Sequence, residues 1–328
     1  RADRPIDGLA VQSIFAIAPT DYNDATVFES SYTLLLPACD GDVSSLWGSK
    51  IYERSRDTVW DKSQVLMPGA NHNFYSTEWA YDDGARVCKK EALVGKLPQT
   101  TMLQSVLGEW MDRTLREDRP VAYQRAERAS PTSLDRWAER PLDLRWSYVE
   151  HDALLADGFV GSLDDNEVGG TDNYTGFETV TPCPTDGCRG AFLARIAAVR
   201  LTWAAAAEPV ASFGLGALDT SAYDSVSLRV TSNKTTWNAG RTEQVFDVVL
   251  TDAEGELVTL DVRDLTPIPH LYSGNNQREV LQTVRVPFTL LNAKNSALDT
   301  DKLASVTVRL GTDGGAGSVT IADLTLGY

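Results

Sequence analysis

The chain has 328 residues, enough for two domains, and its 42 % hydrophobic and 23 % charged content is that of an ordinary globular protein. Its 30 Lys and Arg against 46 Asp and Glu leave a formal charge of −16, which argues against nucleic acid and anionic membranes as partners, because both require a basic face. The most apolar stretch, 191–218, is interrupted by Arg195, Arg200, Glu208 and Pro209, so no transmembrane segment is expected.

The sequence opens on Arg1, with no Met and no signal peptide, and this reads as a processed or trimmed end. Residues 1–118 read as α/β. "LAVQSIFAIAP" (Leu9–Pro19), "YTLLLPA" (Tyr32–Ala38) and "QVLMPGA" (Gln64–Ala70) are short, nearly continuous apolar runs. Strands buried on both faces, as in a parallel sheet, have this composition. "SSLWGSKIYERSRDT" between the second and third runs predicts a crossover helix, with Leu46, Ile51 and Tyr52 on one side. In Thr100–Asp118, Met102, Leu103, Val106, Leu107, Trp110, Met111 and Leu115 keep a 3.6-residue period behind a Thr cap.

Residues 119–141 are rich in Arg, Glu and Pro and read as a linker. From 142 to 328 the pattern alternates apolar and polar residues in "DSVSLRVTS", "EQVFDVVLTD", "ELVTLDVRD", "LQTVRVPF", "SVTVRLGT" and "SVTIADLTLGY". Turns such as "DAEG" and "TDGG" separate these segments, which predicts an antiparallel β-sandwich. The fold class is therefore α/β plus all-β. Four cysteines allow three pairings. A local Cys183–Cys188 bridge fits the Pro- and Gly-rich "TPCPTDGCRG" and leaves Cys39 with Cys88; the alternative is four buried thiols. Two disulfides favour a secreted or cell-surface protein.

Chemistry in a parallel sheet gathers beyond the carboxyl ends of its strands. The second run ends in Asp40 and Asp42, and the third in His72, one of three histidines. Each alone reads as a turn or loop residue. Together they are an acid and a base on consecutive strands: a carboxylate on Nδ1 fixes an imidazole's tautomer for proton transfer at Nε2.

The stretches "IFAIAPTDYN", "LLLPACDGDVSSLWG" and "LMPGANHNFYSTEW" resemble the C-terminal half of a secreted, largely actinobacterial α/β-hydrolase family. Its members carry a C-terminal jelly-roll sandwich similar to carbohydrate-binding modules, and "FDVVLTDAEGELVTLDVRD" and "LQTVRVPFTLLN" look like its strands. The resemblance implies His72 as the base of a catalytic triad and Asp40 as its acid, with Asp42 the alternative. It also implies a serine hydrolase acting on carboxylic esters. The departure is the nucleophile: no G-x-S-x-G elbow exists here, and Ser13, Ser31, Ser44 and Ser45 stand in or beside strands or open a helix. The resemblance places the start of the chain just before the sixth strand of that fold. The serine and the oxyanion hole are then expected from an N-terminal segment or partner chain. The competing expectation is a non-catalytic cell-surface or glycan-binding module with a degenerate hydrolase half.

Asp21, Trp47, Phe74, Tyr75 and Trp79 are candidates to line a substrate pocket, with Asp21 also an alternative acid. "DGDV" fails the EF-hand pattern, because Ser45 and Ile51 hold its sixth and twelfth places. "GSLDDNEVGGTDNYTG" offers Asp164, Asp165 and Asp172, beside Asn166 and Glu167, to a structural Ca²⁺; no other cofactor is expected. Trp146, Trp203, Trp237 and Tyr272 are the sandwich aromatics that a glycan could use, Trp203 reading rather as core. His151 and His270 lack a spaced acidic partner and read as structural, and Asn173 and Asn233 stand in N-glycosylation sequons.

Overall fold

The three apolar runs form β1 (Ser13–Ile17), β2 (Ser31–Pro37) and β3 (Lys62–Met67). Both pairings are parallel, with Ser13 beside Ser31 and Tyr32 beside Lys62. The structure is a computed structural model that describes residues 10–55, 60–115, 144–184, 196–270 and 279–328. Its contacts divide the chain into two units, Arg1–His151 and Asp152–Tyr328.

In the first unit, side chains alternate across the sheet as strand geometry demands. Leu34 points toward α1 (Gly48–Arg54), where a Cβ on Gly48 would lie 2.9 Å from Leu34 Cδ1. Its neighbour Leu35 points the other way. It packs with Val65, Met67 and Ala70 against Met102 and Val106 of α2 (Lys96–Leu115). The two helices thus cover opposite faces, which explains why Leu34, Leu35, Leu36, Val65 and Met67 are at most 1 % exposed. Each contributes about 1.5–3 kcal/mol by burial.

Helix α2 begins four residues before the expected Thr cap. Pro98 occupies its first turn, where a backbone N–H needs no partner, and Thr100 and Thr101 donate to the carbonyls of Lys96 and Leu97 inside the helix. Met111 and Leu115, expected on the core face, are exposed. The expected linker, 119–141, lies outside the described residues.

The sandwich was expected to begin at residue 142. The segment instead contributes β4 (Arg145–Val149), which pairs antiparallel with β3 and closes that edge of the first sheet, in the order β1-β2-β3-β4. Alternation alone cannot tell which sheet an antiparallel strand joins. Trp146 accordingly packs on the α2-side core.

The second unit is built from β5 (Leu154–Asp157), β6 (Asp172–Thr175), β7 (Thr179–Cys183), β8 (Ala198–Trp203), β9 (Val210–Gly214), β10 (Ser225–Ser232), β11 (Glu243–Gln244), β12 (Phe246–Asp252), β13 (Leu257–Asp261), β14 (Ile268–Pro269), β15 (Gln282–Pro287), β16 (Leu303–Leu310) and β17 (Gly317–Gly327). One sheet runs β15-β10-β17-β8-β7, with β5 also on β17, and the other β13-β12-β16-β9-β6. All pairings within them are antiparallel, as the hairpin turns predict. Alternate residues interleave as one core: Val226, Leu228, Val230, Val319, Ile321 and Trp203 from the first sheet, Phe246, Val248, Val306, Val308 and Phe213 from the second. Part of the outer face of the first sheet is buried as well. Ala198, Thr320 and Ala322 are fully buried there, and Arg229 is 2 % exposed, paired with Asp323 at 2.7 Å. Asp323 has φ +48 at an irregularity where β17 carries one more residue than β10, a bulge that turns its carboxylate onto Arg229.

Candidate active site

The parallel ladder of β2 and β3 continues past both strand ends. Ala38 N–H donates to the Met67 carbonyl at 2.9 Å, and Cys39 N–H to the Ala70 carbonyl at 2.8 Å. Each strand then turns sharply, the first at Asp40 and the second after Gly69 (φ +75), where a Cβ would meet the Ala92 carbonyl at 2.4 Å. These turns carry Asp40 and His72 to the same rim.

Asp40 Oδ2 lies 3.1 Å from His72 Nδ1. Its other oxygen accepts from the backbone N–H groups of Asp42 (2.9 Å) and Val43 (2.5 Å), so the carboxylate cannot swing away. Asp40 is 1 % exposed and the His72 side chain 20 %. The arrangement fixes the proton on Nδ1 and leaves Nε2 as the accepting nitrogen. The hydrogen bond to Asp40 raises the His72 pKa above its ordinary 6.5; burial opposes this, and the charges of Asp40, Asp42 and Asp83 add to it. Asp42, the alternative acid, is 70 % exposed and its Oδ2 stands 3.8 Å from Nε2, on the side opposite Asp40. The structure therefore brings Asp40, not Asp42, to Nδ1.

Three further groups hold the two turns, and two of them, Asp83 and Gln99, were not singled out from the sequence. The Asp83 carboxylate, 2 % exposed, accepts from Gly41 N–H (2.8 Å) and Asn73 N–H (2.9 Å), bridging the acid turn to the base turn. Gly41 is required there, since a Cβ would sit 2.1 Å from the Asp83 carbonyl oxygen. Gln99 of α2 clasps Asn71, accepting from its N–H at 2.9 Å and donating to its carbonyl at 2.6 Å. The expected Cys39–Cys88 disulfide is present, immediately before Asp40. Cys188, of the other expected pair, lies outside the described residues.

The candidate lining residues fare differently. Asp21 is 3 % exposed and is consumed by a 2.7 Å ion pair with Arg54 and by the Ala25 N–H, so it serves α1 and not the rim. Trp47 makes an edge contact with Tyr22 and lies under Lys50. Phe74 is buried, and Tyr75 donates to Met67 Sδ at 3.1 Å within the α2-side core, where burial and the Asp40 charge push its pKa well up. The aromatic that meets the dyad is Trp79, 45 % exposed and stacked on the His72 ring at 6.0 Å. Ser13 and Ser31 hydrogen-bond each other across β1 and β2, remote from His72 along the strands.

Histidine 151 does have an acidic partner: its Nδ1 lies 2.9 Å from Asp61 Oδ1, at the start of β3 and so at the opposite end of the sheet from the dyad. His270 Nδ1 meets Ser232 Oγ at 2.7 Å.

In the second unit, Asp164 and Asp165 are exposed, and among the described residues no group of three His, Cys, Asp or Glu side chains converges on a metal position. Asp172 is buried, but its neighbours are Asn166, which donates to it at 2.9 Å, and Asp157, which the sequence reading did not connect with it. Burial first, then the hydrogen bond from Asp157 to Asp172, raise the Asp157 pKa to about 8, so this pair shares a proton. Trp203 is 1 % exposed, as its core reading requires, and Trp237 is 40 % exposed. Tyr272 lies outside the described residues. Among the described residues, no helix is long and apolar enough to cross a membrane.

No family model matches the sequence, and no curated protein matches it. The solved structures that match include the family 11 carbohydrate-binding module of a cellulosomal cellulase of Clostridium thermocellum, at 14 % identity and TM-score 0.34, over 53 % of this chain and 94 % of that one. A family 30 carbohydrate-binding module matches at 14 % and 0.34, over 53 % of this chain and 83 % of that one. An exo-β-agarase matches at 12 % and 0.35, over 53 % of this chain and 24 % of that one. Likenesses this weak carry no argument about ligand or activity.

Proposed function

We propose that the first unit supplies the acid and base of a serine-type hydrolase acting on carboxylic esters, with the nucleophile and oxyanion hole contributed by a segment or chain outside this sequence. The observation that carries the reading is the Asp40–His72 pair, 3.1 Å apart at the ends of adjacent parallel strands and anchored on the acid side by two backbone N–H groups. In this reading a serine hydroxyl approaches Nε2, His72 takes its proton as the oxygen attacks the ester carbonyl, and Asp40 steadies the imidazolium. His72 then returns the proton to the leaving alcohol, and water repeats the cycle on the acyl-enzyme. Among the described residues β1 is an end strand of its sheet, an edge on which further strands could add. The Cys39–Cys88 bridge suits an oxidising, extracellular setting.

The test is the complete gene product. It should hydrolyse short-chain aryl esters and label with a fluorophosphonate, and His72→Ala should lower kcat by several orders of magnitude. Ester turnover that survives His72→Ala overturns the triad. Labelling of monomeric 1–328 by itself overturns the external nucleophile.

For the second unit the reading is a glycan-binding module. Its support is the exposed indole of Trp237 on a sandwich whose other central tryptophan, Trp203, is core.

A further inference from the structure

The loop from β10 to β11 and the turn from β16 to β17 face one another across a cleft of about 460 Å³. Trp237, Arg241, Glu243 and Asp313 line it. This lies within the range of about 300–1,000 Å³ usual for small-molecule sites.

The cleft is held rigidly from below. Asn238, fully buried, donates through Nδ2 to the carbonyls of Asn233 and Ser318, both at 2.7 Å. Its Oδ1 accepts from Gln244 Nε2 at 3.0 Å and Ser318 N–H at 2.8 Å. Trp237 therefore projects from a loop fixed at the next residue, and the chain reverses at Gly240 with φ +81. Arg241 is fixed in turn: Nε donates to the Ala316 carbonyl at 2.6 Å, and its two terminal nitrogens grip Asp313 at 2.7 and 3.1 Å. Its guanidinium lies 6.0 Å from the Trp203 ring.

The chemistry follows from what this leaves free. Three of the five guanidinium N–H groups are engaged, so beside the other two the cleft offers acceptors, the Glu243 carboxylate and the remaining lone pairs of Asp313, and one flat apolar face. Two carboxylates outweigh one guanidinium, which opposes an anion. The guanidinium and the single aromatic oppose an organic cation, which needs an uncompensated cage. A ligand with many hydroxyl donors and one apolar face satisfies all of these groups.

We propose that this cleft is a saccharide-binding site for a neutral sugar residue, which stacks on Trp237 and donates its hydroxyls to Glu243 and Asp313. The proposal rests on the glycan-binding reading of the second unit and gives it a place and a ligand class.

The test is affinity electrophoresis of the full chain in gels containing mixed-linked β-glucan, galactomannan, xylan or, as the acidic comparison, polygalacturonate. At least one neutral polysaccharide should retard the protein. Trp237→Ala should weaken that retardation at least about tenfold. Glu243→Gln should weaken it less, and Leu257→Ala, on β13, should leave it unchanged. Should Trp237→Ala lose its native near-ultraviolet circular dichroism, Glu243→Gln decides alone: undiminished retardation overturns the site. Retardation that persists in a native Trp237→Ala overturns the site but leaves the glycan-binding reading standing. No retardation by any of the four polymers overturns both. Preference for polygalacturonate overturns the neutral-sugar assignment.

Discussion

The disulfide beside the acid gives the most quantitative prediction. Cys39 and Cys88 are 49 residues apart. Loop-closure entropy for a span of that length is about 14 cal/mol/K, or about 4 kcal/mol at 25 °C, lost when the bridge is absent. The closed loop contains β3, Asp40, His72 and Asp83, so the loss falls on the turns that hold the dyad. Two perturbations separate the crosslink from the packing of its sulfurs: Cys39→Ala/Cys88→Ala, and the wild-type chain refolded under reducing conditions. Native-state hydrogen exchange read by mass spectrometry reports opening peptide by peptide. Peptides covering β2, β3 and their turns should lose about three decades of protection in either case, since about 1.4 kcal/mol is tenfold. Peptides from β10 and β17 should be unchanged. Equal protection in the reduced and oxidised chains would show that the bridge constrains nothing the folded unit does not already fix, and the entropic argument would fail.

Three other outcomes follow from the geometry. Asp40→Asn keeps an acceptor for the Asp42 and Val43 N–H groups but presents an NH₂ to Nδ1, so His72 should switch to the Nε2–H tautomer and titrate lower. Nitrogen-15 chemical shifts of the ring report both, an unchanged tautomer would contradict the assignment, and on the proposed hydrolase reading the assembled protein should lose about 10⁴ in kcat. Gly41→Ala places a methyl group 2.1 Å from the Asp83 carbonyl and should cost about 1–3 kcal/mol, seen as a lower melting temperature of the first unit; an unshifted melt would mean the two turns are looser than described. Asp157 holds its proton to about 8 in the folded chain against an ordinary 3.8, so folded protein binds more protons between those values. Its contribution is complete below the lower value and disappears as pH rises through the upper one. The melting temperature of the second unit should therefore fall from about pH 4 to about pH 8, and Asp157→Asn should flatten that fall. An equally steep fall in the variant would place its origin elsewhere.

The dyad was legible because two separate signals coincided. Apolar runs marked strands buried on both faces, and abrupt polar ends marked where their side chains reach a rim. Asp83 and Gln99 were not legible, because what qualifies them is a distance across a turn and not a spacing along the chain. "YDDG" reads as an ordinary loop until its second Asp meets two backbone N–H groups from different turns. The same limit hid Asp157, fifteen positions before Asp172. It also misplaced β4, whose "RWSYV" alternation suits either sheet, and only its pairing with β3 assigns it. Aromatic spacing misled in the opposite sense: Phe74 and Tyr75 stand next to His72 in sequence yet turn into the core, while Trp79 comes back to cover the imidazole.

The two sequons have opposite fates. Asn173 is exposed on β6, where a glycan would project into solvent. Asn233 is fully buried, its amide donating to Ser318 Oγ at 2.9 Å and accepting from Thr320 Oγ1 at 2.8 Å. Both partners belong to β17, made more than eighty residues later in synthesis. In a host that glycosylates nascent chains, the transferase therefore meets Asn233 before the strand that will enclose it exists. A glycan attached there would occupy the place of Ser318, and β17 could not close on β10. Production in such a host becomes a race between modification and folding, and replacing Thr235, the residue that completes the sequon, would remove the race without touching the buried amide.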